Sequence, residues 1–240
     1  MASASVIDDY VTTLDRTLRG PARVRRDLVT EARDSLADAT EAHLAEGVGR
    51  DEAERMAVAE FGPVGEIAPG YQEELAAQQG RRTAAVLFLT VPLMTLIWSG
   101  IWIVYPEPAA TLIAGKPAWF TPLARFLDFF QFGMGVLGAF ALFAFGRGRG
   151  RLKRPGVLTR ALGILVWIQV PVVFFIGLAL AAGAGRSFSG FTDYTPGTVA
   201  SVLSYLMCGT LLWSAARCLI ASRPTQPAPA SPAYRPGALN

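Results

Sequence analysis

Few side chains in this chain are suited to chemistry, and the sequence supplies them with little support. His43 is the sole histidine, and a metal site or a general base there needs companions that no second histidine or nearby cysteine provides. It is expected to be a partly exposed helix residue. Cys208 and Cys218 are ten residues apart. On a helix that is roughly 15 Å of rise and about 280° of rotation, so the two cannot pair with each other and read as small apolar residues. Glu31, Asp34, Asp38 and Glu41 repeat every three or four residues. Acids at that spacing repel one another, which suits a solvated face or a face that receives a basic partner better than a catalytic pair. Arg125 and Asp128, three apart, are expected to form an interfacial ion pair. Gln131 and Gln169 have amides able to bond across helices. Gly133-Met134-Gly135 and the glycines at 146, 148 and 150 lack the strand context of a nucleotide site. The expectation is a protein that is not an enzyme, with no catalytic residue, cofactor or metal ligand.

The elements around these residues are governed by a lipid-like composition: 52% of residues are hydrophobic and 17% charged, which excludes a disordered chain. Four apolar stretches are long enough to span a bilayer, about 83–105, 123–146, 161–184 and 198–221. Charge divides with them. Residues 1–80 hold 16 of the 19 acids and 8 of the 22 bases, whereas residues 81–240 hold 3 acids and 14 bases. The later bases cluster on one side of alternating spans: Arg81 and Arg82 before the first, Arg147, Arg149, Arg151, Lys153, Arg154 and Arg160 between the second and third, and Arg217, Arg223 and Arg235 at or after the fourth. The other side receives Lys116, Arg125 and Arg186. The positive-inside rule then places both termini in the cytoplasm. The basic excess is therefore topological and calls for no nucleic acid, although the link at 147–160 can also attract anionic lipid. No cleavable signal peptide is expected, since the first 80 residues are polar and charged.

Residues 1–80 read as a small cytoplasmic helical domain. Ser5 with Asp8 resembles a capping box for a helix through Leu18, with Tyr10, Leu14 and Leu18 on one face. Gly20-Pro21 leads into a second helix to Glu46, with Val24, Leu28, Ala32, Leu36 and Ala39 in one stripe and Gly47 as its cap. Asp51 with Glu54 is a second capping-box-like start, for a helix through Ala53, Ala57 and Phe61 that Gly62-Pro63 ends. Pro69-Gly70 is expected to break the following segment. From Tyr71 to Tyr105 only Gly80 and Pro92 interrupt helical geometry, which predicts a nearly continuous rod. Residues 224–240, rich in proline, are expected to be a disordered tail. The fold class is all-α: this domain, then a four-helix transmembrane region over 81–223.

The run Arg25-Arg26-Asp27-Leu28-Val29, then Gly47, Glu52-Ala53-Glu54, Ala57-Val58-Ala59-Glu60-Phe61-Gly62-Pro63 and Ile67-Ala68 resembles the HAAS-type signalling domain, also described as a permease prefix domain, over about residues 5–75. The FGP ending is its most specific part. The resemblance implies a bacterial inner-membrane protein whose helical cytoplasmic domain is associated with PadR-like winged-helix transcription regulators. A signalling protein that binds a cytoplasmic partner is one expectation. An accessory membrane subunit of an ABC-type permease, or a small transporter, is the alternative. Gly/Ala-rich spans such as 133–144 also allow a homo-oligomer.

Overall fold

Without strands to pair, a helical chain buries apolar surface only by packing one helix face on another, and each helix here follows its own apolar stripe. The computed structural model describes residues 5–104, 117–147, 155–183 and 195–225. Among them are seven helices and no strand: α1 (Val6–Thr17), α2 (Ala22–Ala45), α3 (Arg50–Phe61), α4 (Val64–Val104), α5 (Phe120–Arg147), α6 (Pro155–Gly183) and α7 (Thr195–Ala221). The expected tail after Pro224, the basic residues Lys116, Arg149, Arg151, Lys153, Arg154, Arg186 and Arg235, and the glycines at 148 and 150 lie outside the described residues, apart from Pro224 and Thr225 themselves. The chain divides into two compact units, Met1–Ala76 with Ile220–Asn240, and Ala77–Leu219.

In the first unit Ile7, Tyr10, Leu14 and Leu18 from the α1 stripe meet Leu28, Ala32 and Leu36 of α2, Ala57 of α3, and Ala68 and Leu75 of α4. Leu14, Leu18, Leu36 and Leu75 are fully buried, each contributing about 1.5–3 kcal/mol relative to exposure. Punctuation is set by two glycines in the left-handed half of backbone space. Gly47 (φ +88°) closes α2 in a Schellman arrangement, with the Gly47 amide bonded to the Leu44 carbonyl and the Val48 amide to the His43 carbonyl. Gly62 closes α3 at φ +98° and ψ 165°, a region that only glycine enters without strain.

One expected start and one expected break differ from the structure. Ser5 does cap α1, accepting from the Ile7 amide at 3.3 Å, but its hydroxyl proton goes to Glu54 Oε2 at 2.6 Å on α3. Glu54 is thereby drawn into the interior, so α3 begins at Arg50 after Gly49 with no side-chain cap, and the Asp51–Glu54 box does not form. No break follows at Pro69-Gly70: α4 runs through both. Proline at the sixth helical position forfeits only the bond to the Gly65 carbonyl, and Gly65 and Pro69 are both exposed, so water can serve that oxygen.

In the second unit Ala84, Leu87 and Val91 of α4 pack with Met134 and Ala141 of α5, Leu162 and Val166 of α6, and Leu211 and Ala215 of α7. Small residues let the backbones approach. The Cα of Gly163 faces Cys218 and the Ala215 carbonyl, and Gly138 faces the Phe88 amide. The outer surface is apolar, with Phe129 75%, Phe132 72% and Phe140 69% exposed. A soluble fold rarely exposes so much contiguous apolar surface. Four helices are long and apolar enough to cross a membrane, over Val64–Ile101, Phe120–Gly146, Pro155–Gly183 and Pro196–Ala221, as a multi-pass membrane protein requires.

Candidate functional site on the helical head

The acidic residues of α2 are where helical periodicity puts them. Leu28, Ala32 and Leu36 turn one side of α2 inward. Glu31, Asp34, Asp38 and Glu41 are all exposed, and none of the four makes an ion pair among the described residues. The neighbouring bases are committed elsewhere: Arg33 pairs with Asp8 of α1 at 2.7 Å and Arg25 with Asp15 at 2.8 Å. The acidic stretch therefore faces solvent with its charge uncompensated, as a docking face for a basic partner would.

His43 is buried rather than partly exposed, with 9% of its surface accessible. The last turn of α2 directs its ring toward α3, with Nδ1 3.6 Å from Glu46 Oε2 and Nε2 3.3 Å from Glu60 Oε1. The carboxylates lie against opposite ring nitrogens, so the three groups do not converge on one point. Among the described residues no set of three histidine, cysteine or acidic side chains can hold a metal ion.

The Phe61-Gly62-Pro63 ending has a definite task. The Tyr10 hydroxyl donates to the Gly62 carbonyl at 2.8 Å, and its ring meets Phe61 edge-on with centroids 5.8 Å apart. Burial, with Tyr71 adding to it, pushes the Tyr10 phenol up to about 12. This motif thus ties the end of α3 to α1.

Sequence reasoning missed Gln72. Its amide lies inside the first unit, where Oε1 accepts from the Arg19 amide at 2.8 Å and Nε2 donates to the carbonyls of Arg19 and Ala221, each at 2.7 Å. The available signal was a polar residue in register with buried Ala68, Leu75 and Ala76. A second missed group lies in the second unit. Gln79, Thr83, Ser214 and Cys218 are all buried, with Thr83 Oγ1 2.6 Å from Ser214 Oγ and 3.0 Å from Cys218 Sγ, and Gln79 Nε2 donating to the Ser214 carbonyl at 3.2 Å. Cys218 is thus a member of a polar network, and both cysteines are free thiols.

The remaining expected positions are dispersed. Arg125 and Asp128 are both exposed on α5, and among the described residues no ion pair joins them. Gln131 is half-buried, whereas Gln169 is buried with its Oε1 unpartnered. Arg81, Arg82 and Arg160 are exposed, and Arg147 ends α5.

No curated protein and no solved structure matches the chain. The family model of the HAAS domain matches residues 9–70, which run from α1 to the first turns of α4 and include the acidic face, His43 and the Tyr10–Gly62 tie. The helical head thus matches the HAAS domain over residues 9–70, and four candidate membrane helices accompany it in the chain.

Proposed function

We propose that this is an integral signalling protein of a bacterial inner membrane, with both termini cytoplasmic, whose head binds a PadR-like winged-helix transcription regulator through Glu31, Asp34, Asp38 and Glu41. The observation that carries the reading is a HAAS domain on the same chain as four candidate membrane helices, with an exposed, unpaired acidic stretch inside the matched segment. The protein acts by sequestration rather than catalysis and uses no cofactor. The head contacts the regulator and not its DNA, because its exposed α2 face bears the same sign of charge as phosphate. A signal acts on this arrangement only by favouring one packing of the membrane helices over another.

The test is co-purification of the detergent-solubilised full chain with a regulator encoded beside it, together with the transcriptome of a deletion strain. Replacing all four acids by their amides is expected to weaken binding by about tenfold, since each exposed charge pair contributes roughly 0.2–1 kcal/mol. Equal affinity for wild type and the amide variant, or an unchanged transcriptome, refutes the assignment. Reporters fused to each terminus check the orientation independently.

A further inference from the structure

The α2–α3 corner holds a buried titratable group that the acidic face does not use. His43 stands in the last turn of α2 with 9% of its surface accessible, and among the described residues neither ring nitrogen makes a hydrogen bond. Each nitrogen has given up water without gaining a partner, which costs stability. Yet a carboxylate stands close to each: Glu46 Oε2 is 3.6 Å from Nδ1 and Glu60 Oε1 is 3.3 Å from Nε2.

A neutral imidazole has one N–H and one lone pair. It can donate to only one of the two carboxylates, and it turns its lone pair on the other, acceptor against acceptor. An imidazolium donates from both nitrogens, so one added proton satisfies the whole group. The glutamates are free to complete the bonds. Their side chains are 71% and 63% exposed, and neither pairs with another base among the described residues. On α3, Arg50 is held by Glu54 and Arg55 by Glu52, and Arg33 of α2 reaches across to Asp8 of α1. From α1, no acid or base pairs with His43, Glu46 or Glu60 among the described residues. The C-terminal pole of α2 adds to the attraction for a cation in this turn. The His43 carbonyl accepts from the Val48 amide in the cap that Gly47 sets, so ring and cap belong to one turn.

We propose that His43 is a proton-operated latch. Protonated, it draws in Glu46 and Glu60 and closes the α2–α3 corner; neutral, it lets the corner open, so the head responds to acidification between about pH 5 and 8. The stabilisation is present while the ring is protonated and is lost as pH rises through the imidazole titration. The inference needs neither the regulator nor the membrane orientation.

The experiment is hydrogen–deuterium exchange of the detergent-solubilised full chain at about pH 5.5 and about pH 8, on either side of the imidazole titration, each rate divided by the chemical rate of an unprotected amide. The amides of Glu46, Gly47 and Val48 close α2 on the carbonyls of Ala42, Leu44 and His43. They are expected to be about threefold better protected at the lower pH, the effect of two exposed charge pairs. The Leu18 amide, bonded to the Leu14 carbonyl in α1, is the reference and keeps its protection. E46Q/E60Q changes two exposed side chains and keeps the histidine, and it is expected to abolish the pH dependence; H43Q is expected to lack it as well. Equal protection of the wild type at both pH values, greater protection at the higher pH, or a dependence retained by E46Q/E60Q overturns the proposal. A change of the same size at Leu18 marks loosening of the whole head and overturns it too. If H43Q loses the reference protection and so fails to fold, the wild type and E46Q/E60Q decide the matter.

Discussion

Replacing Tyr10 by phenylalanine deletes one oxygen and leaves the edge-on contact with Phe61 in place, which isolates the bond to the Gly62 carbonyl. A neutral hydrogen bond of this kind contributes about 0.5–1.5 kcal/mol net. Gly62 is half-exposed, so water recovers part of the loss and about 1 kcal/mol is expected. Through the Boltzmann factor this is about a fivefold rise in the open population of the α1–α3 contact, with RT near 0.59 kcal/mol. Hydrogen exchange of the full chain at neutral pH, followed in α1 and α3 peptides, reads that factor directly. Tyr10→Ala removes the ring as well and is expected to cost about 3–5 kcal/mol, enough to unfold much of the head. The phenol adds a pH signature. Its folded value of about 12 lies above the ordinary 10, so the stabilising difference is whole below pH 10 and is lost as pH rises from 10 toward 12. An ultraviolet titration of tyrosinate should show late ionisation from both Tyr10 and Tyr71 in wild type, with the Tyr10 contribution missing from Tyr10→Phe. Exchange rates unchanged in the phenylalanine variant, or a variant as damaged as Tyr10→Ala, refute the reasoning.

Gly62→Ala forces a side chain into backbone space that disfavours it, and a loss of about 1–3 kcal/mol is expected in urea-dependent proteolysis of the head. Gly80→Ala places a Cβ 2.5 Å from both Phe145 Cζ and Thr159 Oγ1, so overpacking by about 1–3 kcal/mol should lower the detergent melting temperature. Ser214→Ala leaves Thr83 and Gln79 short of one buried partner and is expected to lower the same melting temperature by an amount equivalent to about 1 kcal/mol, while Leu206→Ala on the exposed face changes it little.

The sequence revealed what recurs locally. Leu14 and Leu18, Leu28 with Ala32 and Leu36, and Ala53 with Ala57 are all buried, because an apolar stripe at helical spacing has only one side to hide. Gly47 and Gly62 end their helices because glycine adopts positive φ without steric cost. What escaped was set by distant partners. Glu54 looked like a cap for its own helix until Ser5, 49 residues away, claimed it. His43 looked half-exposed because the stripe of α2 omits the face that α3 covers. Proline at position 69 promised a break, but the penalty falls on a carbonyl that water reaches. Gln72 and Ala221 are 149 residues apart, and no periodicity within one helix announces such a bond. The acidic face was legible from spacing alone; its lack of ion-pair partners became visible only when Arg25 and Arg33 were seen bound to α1.

The polar network of Gln79, Thr83, Ser214 and Cys218 has a consequence for how the protein is made. Thr83 and Ser214 are 131 residues apart, so at ribosomal rates of about 5–20 residues per second the first hydroxyl waits roughly 7–26 s for its mate. During that interval an amide and a hydroxyl sit in a newly inserted segment with their later companions still unsynthesised. A nascent chain stalled before its last helix would thus keep only the bond from Gln79 Nε2 to Thr83 Oγ1 at 3.3 Å and lack every partner that Ser214 and Cys218 supply.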